Sequence, residues 1–128
     1  MEPFVLAATD RSPEVLLDEA RGYLKIAGES YPENVAAFYG PLLQRLRQWL
    51  ATVSGASITA DFEMIYFNSS SAKVLMTVFG LLEGAAEGGN QVVVNWRYDA
   101  GDEMIESLGQ DLAEDLVKAE VRMLPQAS

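Results

Sequence analysis

The sequence predicts an α/β fold, in which a single-layer mixed sheet of about five to six strands is covered by three main helices. Residues 35–53 carry apolar side chains three and four positions apart, the pattern of an amphipathic helix. Residues 91–98 (QVVVNWRY) form a nearly continuous apolar run, typical of a buried central strand. Strand-like and helical segments alternate through the second half, which implies parallel strands joined by right-handed crossovers.

Composition limits the chemistry that the chain can carry out. With 128 residues, 49% of them hydrophobic, it can bury a core without disulfides or metal, and we expect one domain spanning residues 1–128. Histidine and cysteine are absent, which excludes a Ser-His-Asp triad, a Cys-His dyad and a His- or Cys-ligated zinc site. The formal net charge of −10 disfavours nucleic acid and membrane as partners.

Short apolar runs predict the first strands. Residues 4–9 (FVLAAT) form one such run, and residues 15–17 and 23–27 flank a polar turn containing Gly22, which indicates a hairpin. The N-terminus has an acidic second residue and a short apolar stretch, so it resembles neither a signal peptide nor a membrane span. A cytoplasmic location is therefore expected.

The first helix is predicted to begin in the segment SYPEN. Ser30 and Glu33 have the spacing of a capping box, and Pro32 occupies a position at which a first-turn proline is tolerated. Pro41 lies inside the helix, where it predicts a bend in one helix and not two separate helices. The apolar stripe comprises Val35, Phe38, Tyr39, Leu42, Leu43, Leu46, Trp49, Leu50 and Val53.

The next strand and helix enclose a run of serines. Alternation from Ile58 onward predicts a strand with Phe62, Met64 and Tyr66 on one face, ending at Asn68. After the serines, helical spacing predicts a second helix on Val74, Leu75, Val78, Leu81 and Leu82.

The C-terminal third predicts an acidic amphipathic helix and a short last strand. Residues 100–120 show helical spacing, residues 121–124 read as a strand, and the final PQAS is expected to fray. The apolar side of this helix comprises Met104, Ile105, Leu108, Leu112 and Leu116.

The run YFNSSSAK (residues 66–73) has two interpretations. In the structural one, Asn68 or a serine caps the helix by accepting hydrogen bonds from free amides of its first turn. In the functional one, the same amides and the positive end of the helix dipole receive a phosphate added to a serine, with Lys73 one turn away. A phosphate there brings about −1.5 to −2 charges and a binding switch follows.

Three segments occur in a recognisable order from about Gly28 to Glu103. They are GESYPEN, YFNSSSAKVLM, and WRYD followed by Asp102 and Glu103. Together they resemble the SiaC-type regulatory phosphoprotein family, which is distantly similar to anti-anti-sigma (STAS) domains. The resemblance implies a STAS-like fold with a phosphorylated hydroxyl at the start of a helix after a central strand.

The resemblance also assigns the acceptor. Asn68 takes the family's Asn place and Ser69 its acceptor place, where the family commonly has Thr. Nothing in the sequence separates three adjacent hydroxyls by reactivity, so Ser70 and Ser71 remain alternative acceptors. Asn68, Ser70, Ser71 and Lys73 are then the surroundings of the phosphosite and part of the partner-binding surface.

What the resemblance implies is a partner-switching adaptor and not an enzyme. The unphosphorylated form would bind and activate a diguanylate cyclase, a cognate Ser/Thr kinase would release it by phosphorylating Ser69, and a PP2C-type phosphatase would restore it. Cyclic-di-GMP control of biofilm formation or aggregation would be the output. No cofactor is expected, and the sequence has neither a P-loop nor a GxGxxG pattern. The runner-up is an anti-sigma factor antagonist that uses the same switch.

Two further functional classes have weaker support from the sequence. The acidic residues between Asp99 and Asp115 suggest a carboxylate enzyme that uses Mg²⁺ or Ca²⁺, but charge runs on amphipathic helices usually face water. In the last class, the chain is a structural subunit whose serines only cap a helix.

Overall fold

The structure is a computed structural model that describes residues 2–127. A short 3₁₀ turn (Glu19–Arg21) joins the second and third strands. In chain order the main elements are β1 (Phe4–Leu6), β2 (Glu14–Asp18), β3 (Tyr23–Ser30), α1 (Val35–Thr52), β4 (Ser57–Phe67), α2 (Ser69–Glu87), β5 (Gln91–Asp99), α3 (Glu103–Ala113) and β6 (Glu120–Gln126).

All six strands belong to one mixed sheet whose spatial order follows the sequence, β1-β2-β3-β4-β5-β6. The β1–β2 and β2–β3 pairs are antiparallel, and the three pairs from β3 to β6 are parallel. Each parallel connection contains a helix and advances in the same direction, so right-handed crossovers place α1, α2 and α3 on one face of the sheet. The predicted mixed sheet, the hairpin and the three helices are confirmed.

The core lies between the sheet and the helices. Val15, Leu24, Phe62 and Trp96 point toward the helices, where each is fully buried. The stripe predicted for α1 is confirmed, and the helix is continuous through Pro41. Among residues 2–127, no helix has both the length and the apolar character needed to cross a membrane.

A β-bulge in β4 changes which side chains face the core. Gly28 of β3 pairs with Met64 and Glu29 pairs with Tyr66, so Ile65 is an extra residue in β4. Gly28 has φ +118°, a conformation that side-chain-bearing residues rarely adopt. The alternation therefore shifts after Met64, and the prediction that Tyr66 shares the buried face was wrong: Phe67 is buried and Tyr66 is exposed.

The predicted capping box at the start of α1 was also wrong. Ser30 is the last residue of β3, paired with Phe67, because the sheet extends β3 beyond the point at which local sequence would begin a helix. Asn34 is the cap instead, and its Oδ1 accepts a hydrogen bond of 3.0 Å from the Ala37 amide.

Two C-terminal predictions need correction. Met104 is 67% exposed and does not belong to the buried side of α3, which ends at Ala113. The predicted last strand is confirmed as β6 and is longer than expected, because Pro125 and Gln126 pair with Tyr98 and Asp99. These two residues are therefore not a frayed tail, and Ser128 lies outside the described residues.

Candidate functional site

Asn68 organises the junction between β4 and α2. Its backbone is extended (φ −85°, ψ 174°), and its side-chain oxygen accepts a hydrogen bond of 2.9 Å from the Ser71 amide. Its carbonyl accepts a second bond of 2.9 Å from the Ala72 amide. Asn68 is therefore the helix cap, and the amides of Ser69 and Ser70 point out of the helix end, because residues this early have no carbonyl one turn before them.

The three serines differ in their access to solvent. Ser69 and Ser70 are exposed, whereas Ser71 is 0% exposed. A kinase can reach the first two hydroxyls in this conformation but not the third. Helical steps of four and seven place Lys73 and Met76 on the same side of α2 as Ser69. The predicted residues Asn68, Ser69, Ser70 and Lys73 thus share the accessible start of α2, and Ser71 belongs to the interior.

A buried chain of hydroxyls connects this junction to α1. The Ser30 hydroxyl donates to Ser71 Oγ over 2.9 Å, and Ser30 Oγ lies 2.6 Å from the Tyr39 hydroxyl. Because Ser30 has donated its proton to Ser71, the Tyr39 hydroxyl is the donor in the second bond. Burial raises the pKa of Tyr39. Tyr39 therefore stays protonated, as its donor role requires.

The segment GESYPEN lies beside the junction. The Asn68 amide donates to the Ser30 carbonyl over 3.2 Å. Glu29 is opposite Tyr66 in the sheet, and the Tyr31 and Tyr66 rings meet edge to face with centroids 5.8 Å apart. Two of the three segments that carry the family resemblance thus meet at one end of the sheet.

The third segment anchors α3 onto β5. The buried Trp96 indole N–H donates to the Ile105 carbonyl over 3.1 Å. The Tyr98 hydroxyl donates to a Glu106 carboxylate oxygen over 2.9 Å, and this bond is the main cause that raises the pKa of Tyr98. Asp102 caps α3 by accepting 3.0 Å from the Ile105 amide. Trp96 and Tyr98 therefore hold α3 against β5, and Asp102 caps the helix.

The acidic residues of the C-terminal third do not form a metal site in the described part of the chain. Between residues 2 and 127, no three acidic side chains come close enough together to hold a metal ion. Asp102 is occupied as a cap and Glu106 as an acceptor from Tyr98, while Glu103, Asp111 and Glu114 are exposed to solvent.

Sequence reasoning missed two residues of the junction. Ser30 was interpreted as a helix cap, and Tyr39 only as part of the apolar stripe. Ser30 lies nine residues from Tyr39 and 41 from Ser71, so no local spacing reveals their contact. The hydroxyl of a tyrosine within an apolar stripe was the one available signal, since buried tyrosine hydroxyls usually have a partner.

Comparison with known proteins gives a consistent picture. The model of a family described as SiaC family regulatory phosphoprotein matches residues 6–126. A protein of Pseudomonas aeruginosa strain UCBPP-PA14 is 31% identical over 115 residues, which are 90% of each chain.

Two solved structures from Pseudomonas aeruginosa extend the comparison to the fold. A structure of SiaC is 29% identical with a TM-score of 0.86, covering 100% of both chains. A crystal structure of the diguanylate cyclase SiaD in complex with its activator SiaC contains a chain that is 29% identical with a TM-score of 0.85, covering 98% of this chain and 99% of that one.

Proposed function

The chain belongs to the SiaC family of regulatory phosphoproteins, and from this membership we propose that it is a phosphorylation-switched adaptor for a diguanylate cyclase. In the proposed cycle the unphosphorylated form binds and activates the cyclase, and a cognate Ser/Thr kinase releases it by phosphorylating Ser69. A PP2C-type phosphatase then restores binding. The output is control of cyclic-di-GMP and hence of biofilm formation or aggregation. Similarity to a chain seen with the cyclase SiaD supports this partner over an anti-sigma factor.

The observation that carries the proposal is the exposed hydroxyl of Ser69 at the start of α2. Asn68 already caps the helix, so the Ser69 hydroxyl is free of that task, and Ser71 is buried. A phosphate on Ser69 lies at the positive end of the helix dipole, which stabilises negative charge by about 0.3–1 kcal/mol. Lys73 is one turn further along the same side of the helix and adds a cation.

The exposed side of α2 supplies a surface on which the switch can act. Ser69, Lys73, Met76 and Gly80 follow one another at steps of four, three and four, and all are exposed. Met76 is 62% exposed, which is a large apolar contact for a docked partner. A phosphate at Ser69 puts about two negative charges at the edge of this surface. A docked partner would bury these charges away from water, which is energetically unfavourable, so phosphorylation releases the partner.

We further propose that the chain acts by binding alone, as one cytoplasmic domain spanning residues 1–128. Binding and release of a partner require a surface and a modifiable hydroxyl, both of which α2 provides. No step of this cycle requires catalysis or a cofactor from the chain itself. The kinase and the phosphatase supply the chemistry.

Phosphorylation and cyclase activation are tested with matched serine variants. The Ser69→Ala protein should accept no phosphate from the cognate kinase and should still activate the cyclase. Ser70→Ala is the control, because it removes an equally exposed hydroxyl one residue away and should be phosphorylated normally. If the Ser69→Ala protein is fully phosphorylated and the Ser70→Ala protein is not, the phosphorylated residue is Ser70 and not Ser69.

Partner release is tested separately with the phosphorylated protein itself. Protein phosphorylated to completion should lose binding to the cyclase, and phosphatase treatment should restore it. Thr77→Ala, which changes another hydroxyl of α2, should alter neither behaviour. Unchanged cyclase binding by the phosphorylated protein would contradict the proposed direction of the switch. Co-purification of an anti-sigma factor in place of a cyclase would contradict the proposed partner.

A further inference from the structure

Two adjoining grooves cross the carboxyl ends of the parallel strands. The first has a volume of about 730 Å³ and extends from Glu63 and Ile65 to the loop between β5 and α3. The second, of about 590 Å³, extends from the same two residues across Ala27 and Gly28 to the segment after β1. Because they share Glu63 and Ile65, they form one surface, which we call the acidic groove.

The lining of the acidic groove carries charge of one sign. Its carboxylates are Glu14, Glu63, Asp99, Asp102 and Glu103, and among the described residues no lysine or arginine lines it. Two cations border the groove. Lys25 Nζ lies 2.9 Å from the groove carboxylate of Glu14, and Arg97, which pairs with Glu63 in the sheet, has its guanidinium 3.6 Å from Asp61. Within residues 2–127, Glu63 and Glu103 take part in no salt bridge.

The centre of the groove is apolar. Ile65 is 64% exposed and lies where the two halves meet, and Ala27 lines the second half beside it. Its exposure follows from the bulge, which inserts Ile65 as the unpaired extra residue of β4. Single exposed apolar side chains are ordinary on protein surfaces, but bulges next to sites of function re-aim particular side chains. Here the bulge presents a branched apolar side chain between carboxylates.

We propose that the acidic groove is a docking surface for a partner protein segment in which lysine or arginine flanks an apolar side chain. The apolar side chain contacts Ile65, and the flanking cations face Glu63 and Glu103. Nucleotides and phosphorylated ligands are repelled by the same carboxylates. Neither Ser69 nor Lys73 lines the groove, so this second surface goes beyond the proposed phosphorylation switch and can fail or succeed independently of it.

The test uses a short fluorescein-labelled peptide in which leucine is flanked by lysines, with binding measured by fluorescence anisotropy. Ile65→Thr and Glu63→Gln should each weaken binding about tenfold, the loss typical of a central contact. Val117→Thr and Glu87→Gln are the matched controls. Val117 is 81% exposed and Glu87 is exposed, and neither lines the groove, so both controls should bind like the wild type.

Equal weakening by Glu63→Gln and Glu87→Gln would show attraction to the net charge alone and would overturn the proposal. Lack of binding to the wild-type protein would also overturn it. Chemical shift changes in the ¹⁵N-labelled protein should cluster at residues 63–65 and 99–103. A cluster on the acidic side of α3, at Asp111 and Glu114, would contradict the assigned surface. The Ser69→Ala protein should bind the peptide normally, which separates this test from that of the switch.

A second copy of the chain is the competing occupant. Light scattering after size-exclusion chromatography should show the same mass for the wild type and the Ile65→Thr protein. A wild-type dimer that dissociates in the Ile65→Thr protein would assign the groove to self-association and overturn the proposed partner.

Discussion

The hydroxyl of Ser30 donates a hydrogen bond of 2.9 Å to the oxygen of Ser71, although the two residues are 41 positions apart in the sequence. The bond joins the end of β3 to the first turn of α2, and Tyr39 extends it to α1. Three elements therefore meet through side-chain hydrogen bonds directly beneath the proposed phosphosite.

Replacing Ser71 by alanine should lower the free energy of unfolding by about 1 kcal/mol, the typical net value of a hydrogen bond. The physical reason is that the buried Ser30 hydroxyl loses its acceptor. Urea unfolding measures the change. Ser70→Ala removes an exposed hydroxyl from the next position and should stay within about 0.5 kcal/mol of the wild type. If the two variants have the same free energy of unfolding, the buried hydrogen-bonded hydroxyls contribute nothing to stability.

Asn68→Ala should cost about 1 kcal/mol, because the Ser71 amide loses the oxygen that caps it. Asn68→Asp is the matched variant, since aspartate caps as well as asparagine and its charge suits the helix N-terminus. It should unfold at the same urea concentration as the wild type or higher. Equal losses in both variants would show that the cap is not what stabilises this junction.

Two glycine-to-alanine substitutions, at Gly109 and at Gly80, should change the free energy of unfolding in opposite directions. A methyl group on Gly109 would overlap the buried indole of Trp96, so Gly109→Ala should lower the free energy of unfolding by about 1–3 kcal/mol. At Gly80, on the exposed side of α2, a methyl group meets nothing within 4 Å. Gly80→Ala should therefore raise it by about 0.5–1 kcal/mol. Thermal unfolding of both variants checks the pair, and an unaffected Gly109→Ala protein would contradict the packing of α3 on Trp96.

Tyr23 predicts a change of stability in the alkaline range. Burial, a 2.7 Å hydrogen bond donated to Asp61 and the charge of Asp61 raise its pKa to about 12. An unfolded tyrosine has a pKa of about 10, so the folded protein holds this proton more tightly. The resulting stability is complete below about pH 10 and is lost as the pH rises toward about 12.

Absorbance titration of tyrosinate tests the shift. The wild-type curve minus that of Tyr23→Phe should show a transition near pH 12. In Asp61→Asn, the same difference should move toward pH 10, because the negative acceptor that favours the protonated phenol is gone. A difference curve centred near pH 10 in the wild type would rule out the Tyr23–Asp61 interaction.

Elements with a strong local pattern were predicted well. The stripe of α1, the apolar run of β5 and the position of Asn68 at a helix start all appear in the structure. The start of α1 was misplaced because Ser30, Pro32 and Glu33 satisfy a capping pattern that the pairing of Ser30 with Phe67 overrides. Tyr66 was misplaced because alternation assumes an unbroken ladder, and the bulge at Ile65 interrupts it.

At the candidate site, the sequence by itself determined that three hydroxyls follow a strand and begin a helix, and that Asn68 and Lys73 flank them. These features depend on side-chain periodicity and on free helix amides, which act over a few residues. Only the tertiary structure decided that Ser71 is buried, that Ser69 is exposed, and that Ser30 and Tyr39 lie beneath them. The reason is that burial depends on which distant strands and helices pack together, and the register of β3 against β4 sets that packing.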